Sequence, residues 1–189
     1  MGWFAVPLAA DHLATPALRI LDVGAGAAPW SIAITAREPT CRVTAVDLPS
    51  VIPATRQAVA AAGLDPQFDF LPGDLFTHEF ARSAYDLAIV ANVCHLFDQA
   101  GRHLLARIFT ALRPGAKLAI VDALPNERLD GPRRVVLYAL GLLLRTARGQ
   151  VYPFSTYAGW LRHAGYEAID CTDLAGAVPL SLITAKHPG

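Results

Sequence analysis

Three short segments place acidic residues and glycines directly after runs of branched apolar residues. They are Leu21-Asp22-Val23-Gly24-Ala25-Gly26, the pair Asp47-Leu48, and Gly73-Asp74-Leu75-Phe76. Glycines after a strand allow the backbone to approach a ligand closely at the N-terminus of the next helix. A carboxylate such as Asp47 can accept hydrogen bonds from both hydroxyls of a ribose. In the third segment, an Asp can accept from an exocyclic amine while an apolar neighbour packs against the base.

Each of these segments also has an interpretation that involves no ligand. A Gly-x-Gly pattern occurs in many tight strand-to-helix turns. Asp47 is compatible with a turn or cap position before Pro49, and Pro72-Gly73-Asp74 with an ordinary loop. Because all three segments follow successive apolar runs, their combination favours a cofactor site more than any one of them does.

The elements that must position these residues follow from the hydrophobic pattern. Runs rich in Val, Ile and Leu alternate with helical patterns, which is typical of a mostly parallel sheet covered on both faces. We predict seven strands, at Leu18–Val23, Cys41–Val46, Phe68–Leu71, Asp86–Ala91, Lys117–Val121, Tyr166–Cys171 and Leu180–Ala185. Helices are predicted at about Pro29–Arg37, Ser50–Ala62 (capped by Ser50), Gln99–Leu112 (ended by Arg113-Pro114-Gly115), Pro132–Thr146 and Ser155–Ala164.

The predicted fold class is therefore a single α/β domain with a doubly wound, Rossmann-like, seven-stranded sheet. Within residues 1–189 we expect a short N-terminal helical segment (1–17), a cofactor-binding core (18–125), a helical segment (126–165) and closing strands (166–189).

Composition narrows the class of ligand. Sixteen basic and sixteen acidic side chains cancel, so the chain lacks the positive field of a nucleic-acid-binding protein, and we expect a small-molecule partner. The three cysteines lie far apart, which favours a reducing cytoplasm over a disulfide scaffold and offers no structural metal site. The longest apolar run, Val135–Leu144, is too short to span a membrane.

The chain is unusually apolar, with 53% hydrophobic and 17% charged residues. We therefore expect surface that is covered by a partner subunit, as in a homodimer, or by a further domain.

The series of motifs resembles that of S-adenosylmethionine (SAM)-dependent methyltransferases of class I. The motifs read LDVGAG, AVDLP, LPGDLF, DLAIVANVCHLFD and LRPGAKLAIVDALPNE, and they are similar to those of small-molecule O-methyltransferases of the acetylserotonin and caffeate type. The resemblance implies SAM as cofactor, with the glycines beside its methionyl part, Asp47 at the ribose and Asp74 at the adenine. We expect cofactor contacts from Asp22, Gly24, Ala25, Gly26, Asp47, Leu48, Gly73, Asp74, Leu75, Phe76 and Asn92. The family's third small position, often Gly, is Ala28 here, which we expect to be a mild change.

The resemblance also assigns a catalytic base. His95 follows the fourth predicted strand, at the position where the family carries the His that acts as general base. The carboxyl ends of parallel strands line the ligand crevice. The sequence after it, Leu96-Phe97-Asp98, is one residue shorter than the family's pattern before the Asp, so the partner that orients His95 stays open. A metal-dependent methyltransferase would need a cluster of carboxylates after the fourth strand. This chain offers only Asn92 there and Asp122, which is distant in the sequence, so we expect no metal. The other histidines (His12, His78, His103, His163 and His187) are interpreted as structural or exposed.

The family implied by these residues usually carries a helical N-terminal dimerisation domain, whereas seventeen residues precede the first predicted strand here. The chain is thus expected to lack that domain. The apolar segment Arg133–Arg145 is interpreted either as a buried core helix or as a wall of the acceptor pocket or a dimer surface. Tyr138, Phe154, Tyr157 and Trp160 could form an aromatic wall, although core packing is favoured for Trp160.

Three alternatives to an O-methyltransferase remain. A C- or N-methyltransferase on the same fold would not need His95. A partner subunit could keep the fold without turnover. An NAD-dependent oxidoreductase would need Gly at the position of Pro29, which makes it the least favoured of the three.

Overall fold

A computed structural model of the chain describes residues 6–97, 100–174 and 179–189. The strands are β1 (Arg19–Val23), β2 (Arg42–Asp47), β3 (Phe68–Pro72), β4 (Tyr85–Ala91), β5 (Leu112–Asp122), β6 (Glu167–Leu174) and β7 (Leu180–Lys186). The helices are α1 (Val6–Leu13), α2 (Pro29–Arg37), α3 (Ile52–Ala61), α4 (Ala100–Ala111), α5 (Arg133–Arg145) and α6 (Phe154–Ala164), with short 3₁₀ turns at Asp65–Gln67 and Cys94–Leu96.

The seven strands form one sheet in the order β3-β2-β1-β4-β5-β7-β6. The first five strands in this order are parallel, and β7 runs antiparallel to both β5 and β6. After β3 at the edge of the sheet, the chain returns to the middle, where β4 pairs with the free side of β1. The direction of the strand order therefore reverses between β1 and β4. In open α/β sheets, ligands bind in the crevice outside the carboxyl ends of the strands at this switch point.

Alternate residues of the central strands point to opposite faces, and each face has its own apolar cluster. On one face, strand residues such as Ile20 and Ile89 pack with Trp30 of α2 and Val135 of α5. On the other face, residues such as Leu21 and Val90 pack with α4 and α6. This double covering explains why the strands read as continuous apolar runs, and it confirms the predicted fold class.

Two predicted boundaries were wrong for identifiable reasons. The helix predicted from Ser50 begins at Ile52 and has no side-chain cap, since Pro53 sets its first turn. The Arg113-Pro114-Gly115 signal lies inside β5 rather than before it. There the pairing with β4 shifts from Tyr85–Leu112 to Leu87–Lys117. An irregularity in β5 takes up the extra residues, and Leu112 and Leu118 on either side of it stay buried.

Candidate active site at the carboxyl ends of the strands

The loop after β1 is held by the backbone of β2. The N–H groups of Gly24 and Ala25 donate to the carbonyl of Val46 at 2.8 and 3.2 Å. Gly24 (φ 69°) and Gly26 (φ 55°) adopt left-handed conformations, which cost a residue with a Cβ free energy. A Cβ on Gly24 would also lie 2.5 Å from Cγ2 of Val93. Glycine is therefore required for the ends of β1 and β4 to approach each other.

Ala28, the position expected to be a mild departure, has φ 52° at the start of α2. Because this is the left-handed region, the alanine carries a backbone cost that a glycine would not.

Asp47, at the end of β2, connects this loop to the next segment. Its Oδ2 accepts the N–H of Gly26 at 2.8 Å, and its Oδ1 accepts the N–H of Leu48 at 2.7 Å. Each carboxylate oxygen has a further lone pair. Asp47 is half-buried, so it shapes the glycine loop and can still accept hydroxyl donors from the crevice.

The segment after β3 is a tight turn that Arg107 of α4 holds by hydrogen bonds. Oδ1 of Asp74 accepts the N–H of Phe76 at 2.8 Å, and Leu75 is buried. The guanidinium of Arg107 donates to the Leu75 carbonyl at 2.6 Å and also to the carbonyl of His78. This fixes the turn beside the glycine loop, because Leu75 Cδ1 lies 3.4 Å from a Cβ placed on Gly24.

The other residues expected at the cofactor are near these loops in different roles. Gly73 lies under the ring of His78, whose Nδ1 would be 2.6 Å from an added Cβ. Phe76 packs edge-on against Phe97, with ring centroids 4.6 Å apart. Asn92 is exposed just after β4, with φ 56° and its N–H bonded to the Val121 carbonyl.

Asp22 is a buried carboxyl at the base of the crevice. The Ser31 hydroxyl donates to its Oδ2 at 2.5 Å. Burial raises the pKa of Asp22 to about 6, an effect that the Ser31 hydrogen bond partly opposes and the charge of Asp47 reinforces.

We expect the free energy of unfolding of an Asp22→Asn variant, relative to the wild type, to increase between about pH 4 and pH 6. In the unfolded chain the carboxyl ionises near pH 4, whereas in the folded protein it ionises at about pH 6. Raising the pH through this window therefore destabilises the folded wild type, by at most about 3 kcal/mol above pH 6. Asn keeps an acceptor for Ser31 and has no charge to bury.

Urea denaturation of both proteins across the window measures this difference. Asp69→Asn, which changes an exposed carboxyl on β3, is the control and should show no such increase. A constant difference between Asp22→Asn and the wild type from about pH 4 to pH 7 would contradict the buried-carboxyl account.

His95 follows β4 in a short 3₁₀ turn, and its partner lies at the end of the neighbouring strand β5. Nδ1 of His95 is 2.7 Å from Oδ1 of Asp122, and the two side chains are 3% and 1% exposed. Asp122 also accepts the hydroxyl of Tyr157 at 2.7 Å and the N–H of Ala123 at 2.8 Å. Three donors hold this carboxylate, so it fixes the imidazole with the proton on Nδ1 and the lone pair on Nε2.

Asp122 is a candidate functional residue that the sequence analysis did not connect with His95. The sequence analysis considers Asp122 only as a possible metal ligand. In the sheet, however, β5 directly neighbours β4, and the ends of the two strands meet. The signal that could have identified it is its position as the last residue of the fifth apolar run. Asp98, the acidic residue that follows His95 in the motif, lies outside the described residues.

The four aromatic residues are divided between the two faces of the sheet. Tyr138 packs against one apolar cluster, whereas Phe154, Tyr157 and Trp160 pack in the other. The Tyr138 hydroxyl lies 2.8 Å from Nε2 of His95, and their rings meet edge-to-face. Tyr157 is buried, and Trp160 packs against Tyr152 and Tyr157 in the α6 layer. Core packing is therefore confirmed for Trp160. Burial and the neighbouring Asp122 raise the pKa of Tyr157 well above its usual value.

The remaining histidines lie away from this cluster. His12 and His103 are exposed, His163 bonds to Arg102 at the surface, and His187 stacks on Phe109. Within residues 6–97, 100–174 and 179–189, no three His, Cys, Asp or Glu side chains are placed to hold a metal ion together. None of the helices described is long and apolar enough to cross a membrane.

The helix α5 is two-sided rather than fully buried. Val135 and Leu142 are buried, whereas an outer face of Leu137, Leu140, Leu143 and Leu144 is 52–87% exposed. We call these four residues the leucine face. The interpretation of this segment as a buried core helix was wrong, because only one side of the helix meets the sheet.

Comparison with known proteins identifies the family to which the chain is similar. The model of the O-methyltransferase domain family matches residues 8–167. The 3-hydroxy-5-methyl-1-naphthoate 3-O-methyltransferase of Streptomyces sahachiroi is 32% identical over 78% of this chain and 42% of that enzyme. The L-tyrosine C(3)-methyltransferase of Streptomyces lavendulae is 29% identical over 88% of this chain and 46% of that enzyme. The chain thus spans less than half the length of these two relatives.

Two solved structures show the same fold. Human N-acetylserotonin methyltransferase in complex with SAM is 27% identical, with a TM-score of 0.83 over 100% of this chain and 52% of that chain. An O-methyltransferase family 2 protein of Planctomyces limnophilus in complex with apigenin is 27% identical, with a TM-score of 0.87 over 96% of this chain and 56% of that chain. The sheet is therefore that of the SAM-dependent methyltransferases. The chain belongs to the O-methyltransferase domain family.

Proposed function

We propose that this chain transfers a methyl group from SAM to a hydroxyl of a small aromatic or polyketide-like molecule. The observation that carries the proposal is the buried His95–Asp122 pair at 2.7 Å, which lies just past the strand end that packs on the glycine loop. One relative acts on a naphthoate and one structural neighbour is in complex with apigenin, which supports an aromatic acceptor.

The residues at the strand ends fit SAM chemically. Asp47 is half-buried and Asp74 is exposed at the strand ends, whereas Asp22 is buried beneath the glycine loop. These carboxylates suit a ligand that carries hydroxyls, amines and positive charge. A Cβ on Gly26 would meet no protein atom within 4 Å, so this turn faces open space beside Asp47. When bound, SAM supplies a methyl group activated by its sulfonium. We propose that Asp22, Gly24, Ala25, Gly26, Asp47, Leu48, Gly73, Asp74, Leu75, Phe76 and Asn92 form its site.

The protein's own contribution is alignment and proton removal. His95 accepts the hydroxyl proton of the acceptor at Nε2, and Asp122 stabilises the imidazolium that forms through its bond to Nδ1–H. Holding the acceptor in line with the methyl group supplies much of the remaining acceleration, because the step is a displacement.

Asp47→Ala is expected to weaken SAM binding by about 1.5–3 kcal/mol, the range for a lost hydrogen bond to a charged group. Calorimetry with SAM, S-adenosylhomocysteine and NAD on the purified chain measures this and also separates a methyltransferase from an oxidoreductase. Asp69→Ala, an exposed carboxylate on the adjacent strand, is the control. Because Asp47 also holds the Gly26 loop, circular dichroism must show that the variant remains folded. Equal affinity of the wild type for NAD and SAM would refute the proposal.

We also propose that the leucine face is covered, by a second copy of the chain or by a further domain. Isolated exposed leucines are ordinary, but four on one helix form a continuous apolar surface. The chain should self-associate at about tens of micromolar, where weak interfaces form, and Leu140→Glu with Leu144→Glu should reduce this. Sedimentation velocity distinguishes the outcomes. A wild type that stays monomeric at these concentrations would contradict cover by a second copy.

A further inference from the structure

The nitrogen of His95 that would accept a proton is already in contact with a side chain of the protein. Asp122 fixes the proton on Nδ1, which leaves Nε2 as the acceptor, and the Tyr138 hydroxyl donates to it at 2.8 Å. An imidazole nitrogen has one lone pair in the ring plane. His95 therefore cannot accept a proton from an acceptor molecule while Tyr138 keeps this hydrogen bond.

Tyr138 offers the chemistry of a phenolic acceptor at the reacting position. Its oxygen is a phenol hydroxyl, and its ring meets the imidazole edge-to-face with centroids 5.4 Å apart. Burial, and then the charge of Asp122, raise the pKa of Tyr138. The protonated hydroxyl is therefore the donor in this hydrogen bond.

The contact is easily replaced. Tyr138 is half-exposed and lies on α5, the helix that also carries the exposed leucine face. The net free energy of a neutral hydrogen bond of this kind is small, because an equivalent bond to another donor can replace it. A phenol that enters the crevice can therefore exchange its own hydroxyl for that of Tyr138 without unfolding any element.

We propose that Tyr138 is an internal stand-in for a phenolic acceptor, and that it must be displaced from Nε2 of His95 before the acceptor can react. This inference rests on the proposed function and adds a specificity-determining residue to it. Tyr138 keeps the buried base satisfied when no acceptor is bound. It also selects acceptors that compete for Nε2 as well as a phenol does, so aliphatic alcohols, which donate more weakly, are disfavoured.

The test uses p-cresol, which is the tyrosine side chain as a free molecule. In ¹⁵N NMR spectra of the imidazoles, without SAM or p-cresol, Tyr138→Phe and Tyr138→Ala should each shift the Nε2 signal of His95, whereas Tyr166→Phe should not. The Tyr166 hydroxyl bonds to the Leu105 carbonyl and is the matched control. Titrated with p-cresol, Tyr138→Ala should bind about twofold to tenfold more tightly than the wild type, because the competing internal bond is gone.

Kinetics with p-cresol as acceptor separates displacement from a proton relay. Displacement predicts that Tyr138→Phe lowers KM about twofold to tenfold and leaves kcat within about twofold. A fall in kcat of tenfold or more would mean that Tyr138 passes the proton on, and it would overturn the proposal. Equal p-cresol affinity in the wild type and Tyr138→Ala would also overturn it. The NMR and binding measurements need neither SAM nor turnover, so a failure of methyl transfer is detected separately.

Discussion

His95→Ala is expected to lower kcat for methylation of a phenol by about 10²–10⁴-fold, the range for a lost general base. Affinity for SAM should stay nearly unchanged, because a base acts on the acceptor and only in the transition state. The His95 side chain bonds to Asp122 and Tyr138, whereas Asp47 bonds to Gly26 and Leu48, so SAM affinity reports on a different part of the site. Steady-state kinetics paired with calorimetry for SAM measures both effects.

The pH profile gives a second measure of the same role. If His95 is the general base, the dependence of kcat on pH should differ between the wild type and His95→Ala. The alternative to an O-methyltransferase is methylation of a carbon or nitrogen atom, and one relative is an L-tyrosine C(3)-methyltransferase. If the variant keeps more than about a third of wild-type kcat, far outside the general-base range, carbon or nitrogen methylation is favoured. NMR of the methylated product then identifies the atom that was modified.

Asp122→Asn is expected to lower kcat by a similar factor, about 10²–10⁴-fold, with little change in SAM affinity. The carboxylate accepts from His95, Tyr157 and Ala123. An amide at this position has one acceptor oxygen, and its NH₂ group must face one of these donors. If it faces His95, it stabilises the tautomer with the proton on Nε2, where the acceptor's proton has to go.

The effect of Asp122→Asn should be catalytic rather than a general loss of structure. The imidazole ¹⁵N spectrum should show the change of tautomer, and thermal unfolding should show that the variant folds. Asp173→Asn is the control, because Asp173 also accepts a hydroxyl, from Ser181, but at the far edge of the sheet. An unchanged kcat with an unchanged tautomer would show that Asp122 does not orient His95.

The strand and helix pattern was predictable because it depends on local chemistry. Both faces of the central strands are buried, so β1, β4 and β5 are apolar runs in the sequence. Glycines such as Gly63 and Gly165 end helices in left-handed conformations. The glycine loop and Asp47 were predictable for the same reason. A turn that needs positive φ and a carboxylate at a strand end are marked by residue type at a fixed place in the pattern.

The contacts of His95 depended on the tertiary structure. Asp122 and Tyr138 are separated from His95 by whole elements of the chain, and sequence distance says nothing of how β4, β5 and α5 meet. Strand order brings Asp122 beside the imidazole, and the packing of Val135 against the sheet turns Tyr138 of the same helix toward it. Sequence determined the residue types and the strand ends that carry them. Only long-range packing decided which side chains became partners, because those contacts depend on non-local burial rather than on neighbouring residues.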